Sequence, residues 1–103
     1  MKEMETQSIS VVLLEFVIGN VKKLVDNPEK VSGSTIVSTK SIFINISVED
    51  SDRGKVIGRK GKTINSLRIL ATGMKNTHFS GDPRKVFIEV LEDEAKSFKD
   101  IKN

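Results

Sequence analysis

The sequence predicts a two-layer α+β domain in which helices cover one face of a three-stranded sheet. Two observations predict it. Some stretches alternate apolar and polar residues with the period of a half-buried strand, and others space apolar residues with the period of an amphipathic helix. Taken in chain order, these stretches give the element order α-β-β-α-α-β. The chain has 103 residues, which is enough for one such core and leaves little room for a second.

The first element is an amphipathic helix. Apolar residues recur at helical spacing from Ile9 to Val25, with Ser8 as a plausible N-cap and Pro28 beyond the end. Gly19 lies inside this helix, where a glycine costs about 1 kcal/mol relative to alanine. We therefore expect compensating packing at Gly19.

Two strands are predicted next. Val31–Thr39 is rich in Val, Ser and Thr, although its Ser32-Gly33-Ser34 segment also suits a loop. Ser41–Val48 is clearer, because four aliphatic residues alternate with Ser41, Phe43, Asn45 and Ser47. The short polar link Thr39-Lys40 favours a hairpin, and the two strands would then be antiparallel.

The second half supplies two helices and a strand. A short helix is predicted over Arg53–Ile57, and a longer one from about Lys62 to Met74 or Lys75. A loop over Asn76–Pro83 then leads to a strand over Lys85–Glu92. We expect the domain to occupy residues 9–92, between a flexible N-terminus (1–8) and a charged tail (93–103).

The composition excludes several classes of site. There are no cysteines, so a disulfide framework, a thiol nucleophile and a cysteine-ligated zinc site are ruled out. The one histidine, His78, allows neither a convincing catalytic triad nor a multi-histidine metal centre. Glu49, Asp50 and Asp52 form an acidic cluster, which strand-end capping explains better than acid–base catalysis. We therefore expect no enzyme, no metal and no cofactor, in a cytoplasmic protein without a signal peptide.

The positive charge is concentrated in one section. Nine basic residues and one acid, Asp82, fall between Arg53 and Lys85, so this section carries +8 in a chain whose net charge is +3. The remainder carries −5. Such a distribution indicates a directed anionic partner, although an ordinary solvated helix face is the simpler alternative.

A glycine pair marks the centre of that basic section. Gly58 and Gly61 enclose Arg59 and Lys60 between two predicted helices. Glycines let the backbone approach a ligand closely, and the first turn of the following helix offers free N–H groups. Two cations then add charge where a sugar-phosphate chain would lie, which positions a strand without reading its sequence.

The glycine pair also fits a purely structural role and partly fits two nucleotide-binding motifs. A turn between helices that needs two glycines for tightness also accounts for the spacing. Gly61-Lys62-Thr63 matches the end of a phosphate-binding P-loop, but both that motif and the dinucleotide-binding motif need a glycine where Val56 stands. Neither nucleotide motif is therefore supported, while the structural role stays open.

The segment from Arg53 to Arg68 closely resembles the core of KH-domain RNA-binding proteins. The Val-Ile-Gly-x-x-Gly-x-x-Ile frame is present as Val56, Ile57, Gly58, Gly61 and Ile64. A helix-strand-strand unit before the motif is similar to the type II arrangement, and the length resembles small single-KH bacterial proteins of the KhpA type. The resemblance covers about residues 9–92 and is specific in the motif region.

This resemblance implies single-stranded RNA as the ligand, with about four nucleotides in a groove. Gly58, Arg59, Lys60 and Gly61 would contact phosphates. Ile57 and Ile64 would line the apolar side of the groove, and ordinary core packing is the alternative for both. Lys55 and Lys62 would flank the groove. Arg68 is more simply a solvated charge. Base stacking finds little support, since Phe16, Phe43 and Phe87 are assigned mainly to packing.

The resemblance also implies partners. KhpA-type proteins are associated with homodimers and with a larger RNA-binding protein, KhpB, also called Jag or EloR, and an RNA chaperone or regulatory role connected with cell shape is implied. Surplus apolar residues on the second long helix, Ile69, Leu70 and Met74, are candidates for such an interface, and a wide core stripe is the alternative. A protein-interaction domain in which RNA binding is secondary stays open as a different function.

Overall fold

The computed structural model describes residues 8–92, which form three helices and three strands. The predicted order α-β-β-α-α-β is confirmed. The predicted tail over 93–103, and the N-terminus except Ser8, lie outside the described residues. The elements are α1 (Ile9–Leu24), β1 (Ser32–Val37), β2 (Ser41–Ser47), α2 (Arg53–Ile57), α3 (Lys62–His78) and β3 (Lys85–Val90), with 3-10 turns at Pro28–Lys30, Asp50–Asp52 and Arg59–Gly61.

The strands form one mixed sheet in the order β1-β2-β3. β1 pairs antiparallel with β2, with Ile36 opposite Phe43, so the predicted hairpin is confirmed. β3 pairs parallel with β2, with Phe87 opposite Phe43. A parallel pair needs a crossover connection, which here contains α2 and α3.

The core lies between the helices and one face of the sheet. Ile42, Ile44 and Ile46 alternate along β2 and are fully buried, as the strand period predicts. α1, α2 and α3 cover them with aliphatic side chains. The helical contributors that are buried are Leu13, Val17, Val21, Val56, Leu67 and Ala71.

Gly33 shows why a loop-like sequence forms a strand. A Cβ on Gly33 would lie 2.9 Å from the Asn45 carbonyl oxygen and 3.1 Å from Leu14 Cδ1. The missing side chain therefore lets α1 approach β1 closely. The packing expected at Gly19 is wrong, because Gly19 is exposed and a Cβ there would meet nothing within 4 Å.

α3 is longer than its sequence pattern predicts. The apolar period ends near Met74, but the helix continues to His78, and the Phe79 N–H donates to the Lys75 carbonyl at 2.7 Å. Lys75 is almost completely buried, and its ammonium donates to the Asp82 carbonyl at 2.6 Å. The α3–β3 loop therefore folds back onto the last turns of α3 and supports them.

The outer face of the sheet corrects the assignment of two phenylalanines. Phe16 is partly buried and packs against the core, as expected. Phe43 and Phe87 instead lie on the face away from the core, each 39% exposed, with ring centroids 5.2 Å apart. Their neighbours in sequence point inward, so the strand period places both rings outward.

Candidate nucleic-acid interface

The glycine pair forms a sharp turn between α2 and α3. Gly58 has φ 78° and ψ 169°, a conformation essentially restricted to glycine, and its N–H donates to the Gly54 carbonyl at 2.8 Å. A Cβ on Gly58 would lie 2.7 Å from Thr63 Cβ and 2.8 Å from the Thr63 backbone nitrogen. Both the conformation and the space therefore require glycine at this position.

Two further residues of the turn, Lys60 and Gly61, are left-handed. Lys60 is the one non-glycine residue with a positive φ among residues 8–92, at φ 56° and ψ 25°. Gly61 follows at φ 75° and ψ 14°, and its N–H donates to the Gly58 carbonyl at 3.1 Å. A Cβ on Gly61 would meet nothing within 4 Å. Gly61 therefore serves the backbone conformation, and it leaves the outer side of the turn open.

Three exposed cations lie on this turn or directly after it. They are Arg59, Lys60 and Lys62, and within residues 8–92 no carboxylate forms an ion pair with any of them. Lys62 is the first residue of α3, whose first turn has no side-chain cap. The Lys62 N–H already donates to the Arg59 carbonyl, but the positive end of the helix dipole still lies next to the three cations in the chain. This arrangement suits an extended polyanion.

Lys55 has a different environment. Its ammonium lies 3.1 Å from Asp26 Oδ2 and 3.8 Å from Asp52 Oδ1, and its side chain is 46% exposed. The lysine therefore joins the end of α1 to the start of α2. It still adds positive charge near the turn, although its carboxylate partners offset that charge.

The strand-end cap expected at Asp52 is wrong. Its buried carboxylate instead accepts the Asp26 N–H at 3.1 Å and the Asn27 N–H at 3.0 Å, which ties the end of α1 to the start of α2. Burial raises the pKa of Asp52, but these hydrogen bonds and Lys55 outweigh it and hold the pKa below its usual value. The residues around Asp52 gave no sequence signal of a contact 26 residues away.

The two isoleucines beside the turn serve the core at least in part. Ile57 and Ile64 are partly buried and pack against the core cluster. They lie on the elements that flank the turn, at the end of α2 and in the first turn of α3. Their remaining exposed surface is thus adjacent to the cations. Farther along α3, Arg68 is exposed and donates to Asn65 Oδ1 at 2.9 Å, as a solvated charge would.

The outer surface of α3 is apolar in one place. Ile69 and Leu70 are 58% and 56% exposed, and Gly73 beside them is exposed with open space above it. Met74 packs partly against the core. The structure therefore leaves Ile69 and Leu70 unused by the core, whereas Met74 contributes to it in part.

Metal-binding clusters and membrane-spanning helices are both absent from residues 8–92. No group of three or more histidine, aspartate or glutamate side chains there is arranged to hold a metal ion. Within the same part of the chain, no helix combines the length and apolarity needed to cross a bilayer.

The sequence comparisons agree on one family. A model described as "KhpA/KhpB, KH domain" matches residues 14–90. A protein of Chlamydia trachomatis named RNA-binding protein KhpA is 37% identical over 79 residues, covering 77% of this chain and 96% of the relative. A protein of the same name from Mycobacterium leprae is 36% identical over 66 residues, covering 64% and 82%. Both relatives are named as RNA-binding proteins.

Solved structures resemble the fold. A structure of an Era variant from Aquifex aeolicus, bound to GDP and aluminium fluoride, superposes with a TM-score of 0.64 at 17% identity. The superposition covers 84% of this chain and 33% of the Era chain. Era in complex with part of 16S ribosomal RNA gives the same TM-score at 15% identity, covering 94% and 36%. At this identity the likeness concerns the fold alone. Together with the family match, the α-β-β-α-α-β order and the mixed sheet establish that the chain belongs to the KhpA/KhpB KH-domain family and has the type II KH fold.

Proposed function

We propose that this protein binds single-stranded RNA and that the turn from Gly58 to Gly61 grips the sugar-phosphate backbone. The observation that carries the proposal is the turn itself. It combines a strained backbone that requires glycine, an uncapped helix start and three exposed cations in one segment. The names of the relatives support RNA as the polyanion.

Each residue of the turn has a distinct role in this proposal. The amides at the start of α3 and the side chains of Arg59 and Lys60 contact successive phosphates, and Lys62 extends that contact. The bases then lie toward Ile57 and Ile64, where an apolar surface accepts their faces. Lys55 contributes less than the other lysines, because Asp26 and Asp52 already pair with it.

The experiment replaces Arg59 and Lys60 with aspartate and measures RNA binding by fluorescence anisotropy. The glycines are kept, and aspartate tolerates the left-handed conformation of Lys60 better than most residues. We expect affinity to fall more than about tenfold, because two phosphate contacts become repulsions. The salt dependence should also weaken, with the slope of log affinity against log salt reduced by roughly 1.4.

A matched control carries the same change of charge elsewhere. Lys22 and Lys23 are exposed in the last turn of α1, and a Lys22→Asp/Lys23→Asp variant alters the net charge equally. Affinity should fall far less in this control. Equal losses in both variants would show that net charge, and not the turn, determines binding, and would refute the proposed grip.

We further propose that the protein acts as a homodimer, or with a KhpB-type partner, through Ile69 and Leu70. Gly73 beside them offers bare backbone, so a second helix can approach α3 closely. One site for about four nucleotides binds weakly, and a second KH module in the same assembly raises the avidity. A cytoplasmic role as RNA chaperone or post-transcriptional regulator fits a binder with little sequence selectivity.

The same apolar surface favours a second candidate function. A protein-interaction domain in which RNA binding is secondary would use Ile69 and Leu70 as its main contact. Capture of a KhpB-type protein that survives both nuclease treatment and the Arg59→Asp/Lys60→Asp change would support that function over RNA binding.

A further inference from the structure

The open face of the sheet presents an apolar row that lies outside the turn from Gly58 to Gly61 (the KH turn). The strand register aligns Ile36 of β1, Phe43 of β2 and Phe87 of β3 side by side. They are 59%, 39% and 39% exposed. The next positions on this face of β2, Ser41 and Asn45, are polar, so the row is an isolated apolar feature.

The two phenylalanines form a stacked pair. Their ring centroids are 5.2 Å apart and their planes differ by 19°. The pairing fixes the orientation of both rings, while about two-fifths of each residue stays accessible to solvent. Because the rings are already oriented, stacking a nucleobase on them costs little side-chain entropy, and such stacking supports binding in single-strand binding proteins.

The charges around the row are asymmetric. Lys85 lies two residues before Phe87 on the same face of β3, and Glu89 lies two residues after it. Lys40 is adjacent to Lys85, because the Lys85 N–H donates to the Lys40 carbonyl at 3.0 Å. Within residues 8–92 neither lysine is ion-paired. One side of the apolar row is therefore cationic, and the other side is acidic.

We infer that this face is a second contact surface for single-stranded RNA, with bases stacked on Phe43 and Phe87 and phosphates near Lys40 and Lys85. The inference rests on the proposed RNA-binding function. β3 is an edge strand of the sheet, and both α2 and α3 contact it. A single-stranded RNA that leaves the KH turn would therefore reach Phe87 by passing around one edge of the sheet. The charge asymmetry gives the bound strand a preferred side, since Glu89 repels phosphate.

A second copy of the protein fits this face less well. The three exposed side chains present roughly 250 Å² of apolar surface, whereas a stable protein interface buries about 800 Å² on each partner. The neighbouring positions are serine, asparagine, lysine and glutamate. A small apolar row with a cationic flank matches a base and its phosphate more closely than a protein interface.

The test compares two lengths of fluorescein-labelled oligouridylate on the full chain. About four nucleotides fill only the KH turn, whereas about sixteen also reach the sheet face. Phe43→Leu/Phe87→Leu keeps both positions apolar but removes the aromatic faces. Affinity for the longer RNA should fall at least about tenfold, and affinity for the shorter RNA should change less than about twofold.

The matched control is Val37→Ala. Val37 is an exposed aliphatic residue next to Ile36 on β1, but it is not part of the apolar row. This control should leave both affinities unchanged. A second measurement does not depend on the folding of the variant. Phe43 and Phe87 ring resonances of the wild-type protein should shift on adding the longer RNA, and not on adding the shorter one.

The outcomes separate the two proposals. Unchanged affinity of the leucine variant for the longer RNA, or ring resonances that do not move, overturns the sheet-face contact and leaves the KH turn intact. A change from dimer to monomer in the leucine variant by sedimentation would show a protein interface and overturn the RNA assignment. Failure of the wild type to bind either length would refute the proposed function and this inference together.

Discussion

At the scale of single residues, three glycines differ in how strongly the structure constrains them. Gly58 combines a glycine-only conformation with a side-chain clash, whereas Gly61 has only a left-handed conformation and open space. Gly19 has neither constraint, because it lies in the regular helix α1 with nothing nearby. The spacing of Gly58 and Gly61 predicted a turn, but the sequence held no signal that distinguishes the cost of replacing each glycine.

We therefore expect alanine substitutions to order themselves by these constraints. Gly58→Ala should lower the free energy of unfolding by more than the roughly 1–3 kcal/mol of backbone strain, because Thr63 must also move. Gly61→Ala should cost about 1–2 kcal/mol. Gly19→Ala should raise the free energy by about 0.5–1 kcal/mol. Urea denaturation measures all three, and a Gly19→Ala variant that is destabilised would contradict the exposed position assigned to it.

At the scale of elements, α3 connects the proposed RNA site with the proposed dimer surface. Its first turn follows Gly61, its inner face buries Leu67 and Ala71, and its outer face exposes Ile69 and Leu70. The sequence marked Ile69, Leu70 and Met74 as surplus apolar residues, and the structure leaves the first two exposed but packs Met74 partly against the core. An apolar side chain at the border of a stripe has no sequence feature that separates core packing from an interface.

The Leu70→Glu substitution should dissociate the proposed dimer, because it places a charge in the centre of the apolar patch. Val11→Glu is the matched control, since Val11 is a similarly exposed aliphatic residue on α1. Sedimentation velocity should show a monomer for Leu70→Glu and no change for Val11→Glu. Thermal unfolding of the monomeric state should be little affected in either variant, because both side chains are exposed. An unchanged sedimentation coefficient for Leu70→Glu would rule out this face of α3 as the interface.

The element boundaries show where sequence patterns are sufficient. Periodicity and turn residues predicted the order of all six elements, and the bounds of α2 match the prediction. The end of α3 was placed three or four residues too early, because Lys75 and Asp82 extend the helix by a tertiary hydrogen bond. The stacked rings of Phe43 and Phe87 were missed for a similar reason. Strand alternation shows that they share one face, but only the packing of the helices decides which face is open.

At the scale of the whole molecule, two carboxylates fix segments that connect the helices and strands. Asp52 ties the chain after α1 to the start of α2, near the KH turn. Asp82 lies in the α3–β3 loop, where it accepts the Arg84 N–H at 2.9 Å and Arg84 Nε at 3.0 Å. The Arg84 hydrogen bonds lower the pKa of Asp82 from 3.8 to about 2, despite partial burial. Both carboxylates are therefore stabilised in their charged forms by the fold.

The free energy of unfolding should therefore fall as the pH is lowered. A carboxyl group whose pKa is lower in the folded protein stabilises the fold fully above its unfolded value of 3.8, and this contribution is lost as the pH falls toward 2. The Asp82→Asn variant should unfold at lower urea than the wild type at pH 7, and the difference should shrink between about pH 4 and about pH 2. Glu15→Gln, at an exposed position on α1, is the control for loss of one carboxylate and should unfold at nearly the same urea concentration as the wild type at pH 7. A constant difference between Asp82→Asn and the wild type across this range would show that the charge of Asp82 does not stabilise the α3–β3 loop, and that its hydrogen bonds to Arg84 serve geometry alone.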